Sequence, residues 1–110
     1  MDLGGKHCVP CENGAPAFSE EQENEYLINV KDWILLRDGE HKLRRQFLFG
    51  DFKQAIEFVN KIAEIAEAEQ HHPDIYIFYN KVQVDLFTHA VGGLSENDFI
   101  MAAKISSIAS

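Results

Sequence analysis

Residues 51–88 read DFKQAIEFVNKIAEIAEAEQHHPDIYIFYNKVQVDLFT, and this stretch decides the fold. Phe52, Ala55, Ile56, Val59, Ile62, Ala63 and Ala66 recur at the spacing of one helical face, behind Asp51 as a candidate N-cap. Lys53, Glu57, Lys61, Glu64 and Glu67 fall mostly opposite, with Lys53/Glu57 and Glu57/Lys61 in i,i+4 register. Pro73 cannot extend the helix and biases His72 away from helical angles, so His71-His72-Pro73 marks the exit. Ile75 to Tyr79 and Val82 to Thr88 then form two strand-like runs around Asn80-Lys81, a hairpin. In the second run Val82, Val84, Leu86 and Thr88 share one face, and Gln83, Asp85, Phe87 and His89 share the other.

Working outward, the same grammar recurs on both sides. Upstream, Trp33 to Leu36 and Leu43 to Phe49 flank Asp38-Gly39, a strong turn signal, and predict another hairpin. Ser19-Glu20-Glu21-Gln22 is a capping-box pattern ahead of Tyr26, Leu27 and Val30, which predicts a helix over 19–29. Downstream, Gly92-Gly93 breaks the strand, and Ser95 with Asp98 makes a capping pair ahead of a final helix over 96–108. The order α-β-β-α-β-β-α argues for an α+β fold, an antiparallel sheet covered on one face by helices. Residues 1–18 hold three of the seven glycines and two of the three prolines with little apolar periodicity, so they read as a flexible arm before a single domain over 19–110.

Composition bounds the function. At 110 residues, 45% apolar and 25% charged, the chain has the size and make-up of one globular domain. A formal net charge of -8 disfavours a nucleic-acid partner, because phosphate backbones would be repelled. Apolar runs are too short to span a bilayer and no signal-peptide pattern opens the chain, so a cytoplasmic protein with no membrane partner is expected. Cys8 and Cys11 are too close together to staple distant parts of a secreted fold.

Three of the five histidines, His71, His72 and His89, fall at ends of elements expected to meet on one side of the sheet. Imidazole titrates nearest neutral pH, so such a cluster suits proton donation and acceptance without large tuning. Glu67 lies four residues before His71 and, if the helix persists, shares its face, where it could orient an imidazole or bind a substrate N–H. The plainer alternative is a histidine pair capping helix carbonyls in solvent. A zinc site built on the three histidines is disfavoured, since adjacent histidines rarely aim both rings at one ion. Cys8-Val9-Pro10-Cys11 has ligand-like or redox-like spacing, but lacks a second cysteine pair and a βαβ setting, which favours a solvated arm.

The spacing Glu67-x3-His71-His72-Pro73-x5-Tyr79-x9-His89-x8-Asp98 resembles the signature of the pterin-4a-carbinolamine dehydratase family. Phe49-x-Asp51-Phe52, Tyr79-Asn80-Lys81-Val82, Thr88-His89 and Gly93-Leu94-Ser95-Glu96 extend the likeness over about 19–108. The resemblance implies a four-stranded antiparallel sheet, and a 4a-hydroxytetrahydrobiopterin dehydratase that removes water from 4a-hydroxytetrahydropterin without metal or cofactor. It implies His71, His72 and His89 as the catalytic trio. It also implies Glu67, Gln70, Phe87, Thr88, Ala90 and Asp98 as residues around the pterin. An acid is commoner in the family at Gln70 and a small polar residue at Phe87, so this chain departs there.

Some members of that family also serve as dimerisation cofactors of a transcription factor, which makes an interaction protein the alternative reading. Tyr76 and Phe78 lie on one strand face and Ile75, Ile77 and Tyr79 on the other, and Phe99 to Ala103, Ile105 and Ile108 make the final helix apolar around most of its girth. A homodimer or homotetramer is therefore expected, built partly from that helix.

Overall fold

The expected order of elements is present in the computed structural model, which describes residues 2–10 and 12–109. Helix α1 spans Glu20–Leu27, β1 Ile34–Leu36, β2 Lys42–Leu48, α2 Phe52–Glu69, β3 Asp74–Phe78, β4 Lys81–Leu86 and α3 Glu96–Ala109. Ser19 and Gln22 close a full capping box on α1, and Asp51 Oδ1 accepts from Gln54 N at 2.8 Å on α2. Short 3-10 turns lie at Leu3–Gly5 and His89–Val91.

The four strands form one antiparallel sheet in the order β1-β2-β4-β3. Register follows the apolar alternation: Leu43 faces Leu86, Phe47 faces Val82, and Ile75 faces Val84. That face is buried under Ala55, Phe58, Ile62 and Ala66 of α2 and under Ile100, Met101 and Ile105 of α3. The buried line on α2 therefore runs through Phe58, while Phe52 and Ala63, expected on the core face, are exposed. The sheet, rather than the count of apolar residues, decides which stripe of a broadly apolar helix is covered. The second hairpin also turns one residue earlier than expected, at Tyr79-Asn80, with Tyr79 at φ 53 and Asn80 Nδ2 donating to Phe49 O at 3.1 Å.

Two expectations change at the level of packing. Asn97 to Ala102 and Ile105 are buried within the chain, because the sheet, α1, α2 and the Leu3–Gly5 turn surround α3 on different sides. Most of its apolar girth is thus covered within the chain, while Ala103 and Ile108 are only half-buried. Where a loose arm was expected, residues 2–10 are docked: Leu3 is only 2% exposed within the core cluster, and Lys104 Nζ donates to Gly4 O at 3.0 Å. A lone leucine in a glycine-rich segment carries no periodic signal, so pattern reading could not find it.

Candidate active site

The end of α2 sets two of the histidines in different directions. Gln70 takes the left-handed conformation at φ 54, ψ 40, and its N–H bonds back to Ala66 O, as does that of His71 at 3.2 Å. The helix stops there, so Glu67 and His71 do not pair as an i,i+4 couple. Instead His71 Nε2 donates inward to Asp98 Oδ1 at 2.7 Å, while His72 Nε2 donates to Glu67 Oε2 at 2.6 Å near the surface. The His71 side chain is 12% exposed and that of Glu67 74%. Solvent weakens the second pair far more than the first.

The third histidine arrives from the other strand of the hairpin. Antiparallel pairing sets Asp74 opposite Asp85, so the residues just before β3 and just after β4 share one end of the sheet. Thr88 bridges to Gly93, and His89–Val91 makes one turn closed by Gly92 at φ 69. The His89 ring meets the Phe87 ring edge-on with centroids 4.3 Å apart, and Lys42 Nζ sits 5.3 Å from the Phe87 centroid.

A cleft of about 270 Å³ opens between these two groups. His71, His72 and His89 line it, and so do Gln70, Phe87, Thr88 and Ala90. Its size lies at the small end for ligand sites, suited to one compact ring system rather than a dinucleotide. A larger depression of about 430 Å³ elsewhere contains Arg45, Asp32 and Ser106, but Arg45 there is already engaged with both Ser106 and Asp32. It brings together no comparable proton-transfer set.

Asp98, expected among the pterin-contacting residues, is 0% exposed and stands behind the cleft wall. Its Oδ1 accepts from His71, and its Oδ2 accepts from Thr88 Oγ1 at 2.7 Å and from Ser95 N at 3.0 Å. Both oxygens are therefore occupied by protein donors, and Asp98 faces the cleft only from behind His71 and Thr88. A carboxylate only accepts, so the pair assigns the proton to His71 Nε2 and leaves Nδ1 as the nitrogen free to exchange one. Glu67 likewise reaches the cleft through His72.

Val9, Pro10 and Asn97 also line the cleft, and sequence reasoning missed all three. The Cys8-Val9-Pro10-Cys11 motif drew attention to its thiols, not to the residues between them. Cys8 is half-buried, and burial, together with the nearby charges of Glu69 and Asp98, pushes its thiol up to about 12. It is thus a neutral thiol near pH 7; Cys11 lies outside the described residues. Among the described residues no group of three or more His, Cys, Asp or Glu side chains is arranged to hold a metal ion. No helix among them is long and apolar enough to cross a membrane.

Fold and cleft together define a class: an α+β domain whose sheet end carries a histidine site backed by a buried carboxylate. Residues 16–108 match the family described as pterin 4 alpha carbinolamine dehydratase, and the chain belongs to that family. A relative from Methylococcus capsulatus, provisionally named pterin-4-alpha-carbinolamine dehydratase, is 44% identical over 97% of this chain and 93% of its own. The crystal structure of a transcriptional coactivator/pterin dehydratase from Brucella melitensis superposes with a TM-score of 0.80 at 36% identity, covering 86% of this chain and 99% of that one. A pterin dehydratase-like protein described as a RuBisCO assembly factor in the alpha-carboxysome superposes with a TM-score of 0.62 over 72% of this chain and 90% of its own. At 22% identity it shares the fold alone.

Proposed function

We propose that this chain is a cytoplasmic dehydratase that converts 4a-hydroxytetrahydropterin to quinonoid dihydropterin, in recycling of tetrahydrobiopterin, with no metal or cofactor. The observation that carries the reading is the His71–Asp98 pair at the wall of a ring-sized cleft that also holds His72 and His89. In the elimination the C4a–O bond breaks as a general acid protonates the departing hydroxyl, which leaves as water. A general base takes the N5 proton, and the N5–H electron pair becomes the C4a=N5 double bond, so no electrons enter or leave. His71 Nδ1, its ring oriented by Asp98, suits one proton transfer, and His89 on the opposite wall suits the other. Phe87, Gln70, Thr88 and Ala90 would border the flat heterocycle, while His72 with Glu67 would bind its polar edge.

The test is steady-state turnover of a 4a-hydroxytetrahydropterin by the wild type and three folded single variants, with and without a chelator. His71→Ala and His89→Ala should each lower kcat by about 10² to 10⁴, the usual worth of a proton-transfer group. His72→Ala should mainly raise KM, because binding common to ground and transition state is what it removes. Near-normal kcat in the first two variants, or chelator-sensitive activity restored by zinc, would overturn the mechanism. A folded wild type that self-associates but turns over no pterin would favour the interaction role instead. Self-association of the chain would use β3, an edge strand whose Tyr76, Ile77 and Phe78 are exposed.

A further inference from the structure

We propose that Val9 and Pro10 form a substrate-contacting wall of the pterin cleft and that Asn97 is the positioning residue that latches them there, an inference that rests on the dehydratase reading. Asn97 grips the backbone of Val9 on both sides: Val9 N donates to Asn97 Oδ1 at 3.0 Å, and Asn97 Nδ2 donates to Val9 O at 2.6 Å. One residue earlier, Cys8 N donates to Glu69 Oε1 at 2.7 Å, and His7 Nδ1 donates to Glu69 Oε2 at 2.9 Å. Past the cleft, Gly14 N donates to Ala90 O at 3.0 Å.

Each anchor is adjacent in sequence to a residue of the site. Glu69 precedes Gln70 and His71, Asn97 precedes Asp98, and Ala90 follows His89. The arm is thus fastened to the two segments that present the histidines and to the helix that carries Asp98, so its position is registered against them. Close approach of the chain continues beyond Gly14: a Cβ on Gly93 would meet Ala17 Cβ at 3.1 Å.

Two features point to a ligand-facing role rather than a purely structural one. Val9 is 64% exposed although its backbone is bonded at both polar groups, which leaves an oriented apolar side chain uncovered at the rim. Space also lies on the far side of the ridge, in a depression of about 320 Å³ shared by Val9, Pro10 and Gln70 with Cys8 and Glu69. With clefts on both sides of Val9 and Pro10, the hydrogen bonds from Asn97 and Glu69 fix where the ridge stands and so set the width of the pterin site. A flat ring entering beside the histidines would cover Val9 and Pro10 and gain apolar contact from them.

The experiment compares wild type, Asn97→Ala and the double variant Val9→Gly/Pro10→Gly. It measures kcat and KM for a 4a-hydroxytetrahydropterin, calorimetric Kd for a stable 7,8-dihydropterin, and hydrogen exchange of residues 2–10. KM and Kd should rise together by about three- to tenfold, with kcat within about twofold of wild type. Exchange in the arm should accelerate in Asn97→Ala. Unchanged KM and Kd in the double variant, whose positions are exposed and should not perturb folding, would overturn the wall. Faster exchange in Asn97→Ala with KM and Kd unchanged would reduce Asn97 to a structural anchor and overturn the latch. A wild type that binds the dihydropterin without turning over substrate would sink the dehydratase reading while the Kd comparison still decides the wall. A wild type that binds no pterin would sink both.

Discussion

Asp98 occupies a position that its chemistry alone would not suggest for a small acidic residue on an apolar helix: fully buried, with three donors aimed at its two oxygens. Replacing it with Asn tests what the charge and the all-acceptor character contribute. An amide offers one accepting atom and one donating group, so either a buried donor loses its partner or His71 moves its proton to Nδ1. Asp98→Asn should therefore lower kcat by about 10² to 10⁴ and cost about 1–3 kcal/mol of stability. The ¹⁵N shifts of the His71 imidazole should report the changed tautomer; unaltered shifts with normal kcat would remove Asp98 from the positioning role. That His71, His72 and His89 would gather at one cleft was legible, because their residue type and spacing carry the signal. Which of His71 and His72 meets which carboxylate was not, because it depends on the left-handed turn at Gln70, where no glycine announces it.

Helix α2 and the N-terminal arm show the two extremes at the scale of elements. The helix announces itself through its apolar period, its Asp51 cap and Pro73 beyond its end; the arm contributes isolated contacts without period. Leu3→Ala should cost about 2 kcal/mol, since a nearly fully buried leucine is truncated. For a chain of this length that lowers Tm by roughly 10 °C, measured by thermal unfolding, whereas a loose arm predicts no change. The contact with Glu69 adds a pH dependence. The backbone N–H of Cys8 and the ring of His7 hold the Glu69 carboxyl below its ordinary value of 4.5 in the folded protein. As pH falls the unfolded chain takes up this proton first, so the stabilisation is complete above about 4.5 and is lost as pH drops through the lower folded value. Unfolding free energies from pH 7 to 3 should show this loss in the wild type and a shallower slope in Glu69→Gln.

At the scale of the whole molecule, the face of the sheet away from the helices and its β3 edge carry a run of exposed apolar side chains among the described residues. Arg44 closes over the buried Asp85 on that face with bonds of 2.7 and 2.9 Å, and Gln46 Nε2 donates to Gln83 at 2.9 Å. Beside this polar patch, Tyr76, Ile77, Phe78 and Tyr79 remain exposed, Tyr79 at 67%. Light scattering at micromolar concentration should give the mass of a dimer or tetramer. The double variant Ile77→Lys/Phe78→Lys should shift it to the monomer without lowering helix content by circular dichroism. Association that survives those lysines, or a wild type that is monomeric, would show that β3 is not the contact.

Local periodicity, caps and turns along the chain were enough to determine the order of elements and the antiparallel hairpins, and the residue spacing from Glu67 to Asp98 was enough to single out three histidines that line one cleft. Those features are short-range, so the chain states them without reference to what packs on them. Tertiary structure alone decided what lies behind and across from the histidines. Asp98 backs His71 only because α3 packs beside the exit of α2, and Val9 borders the cleft only because Asn97 and Glu69 reach it from different helices. Contacts between residues some 30 to 90 positions apart, each made once and not repeated, leave no period in the sequence; closure of the fold creates them.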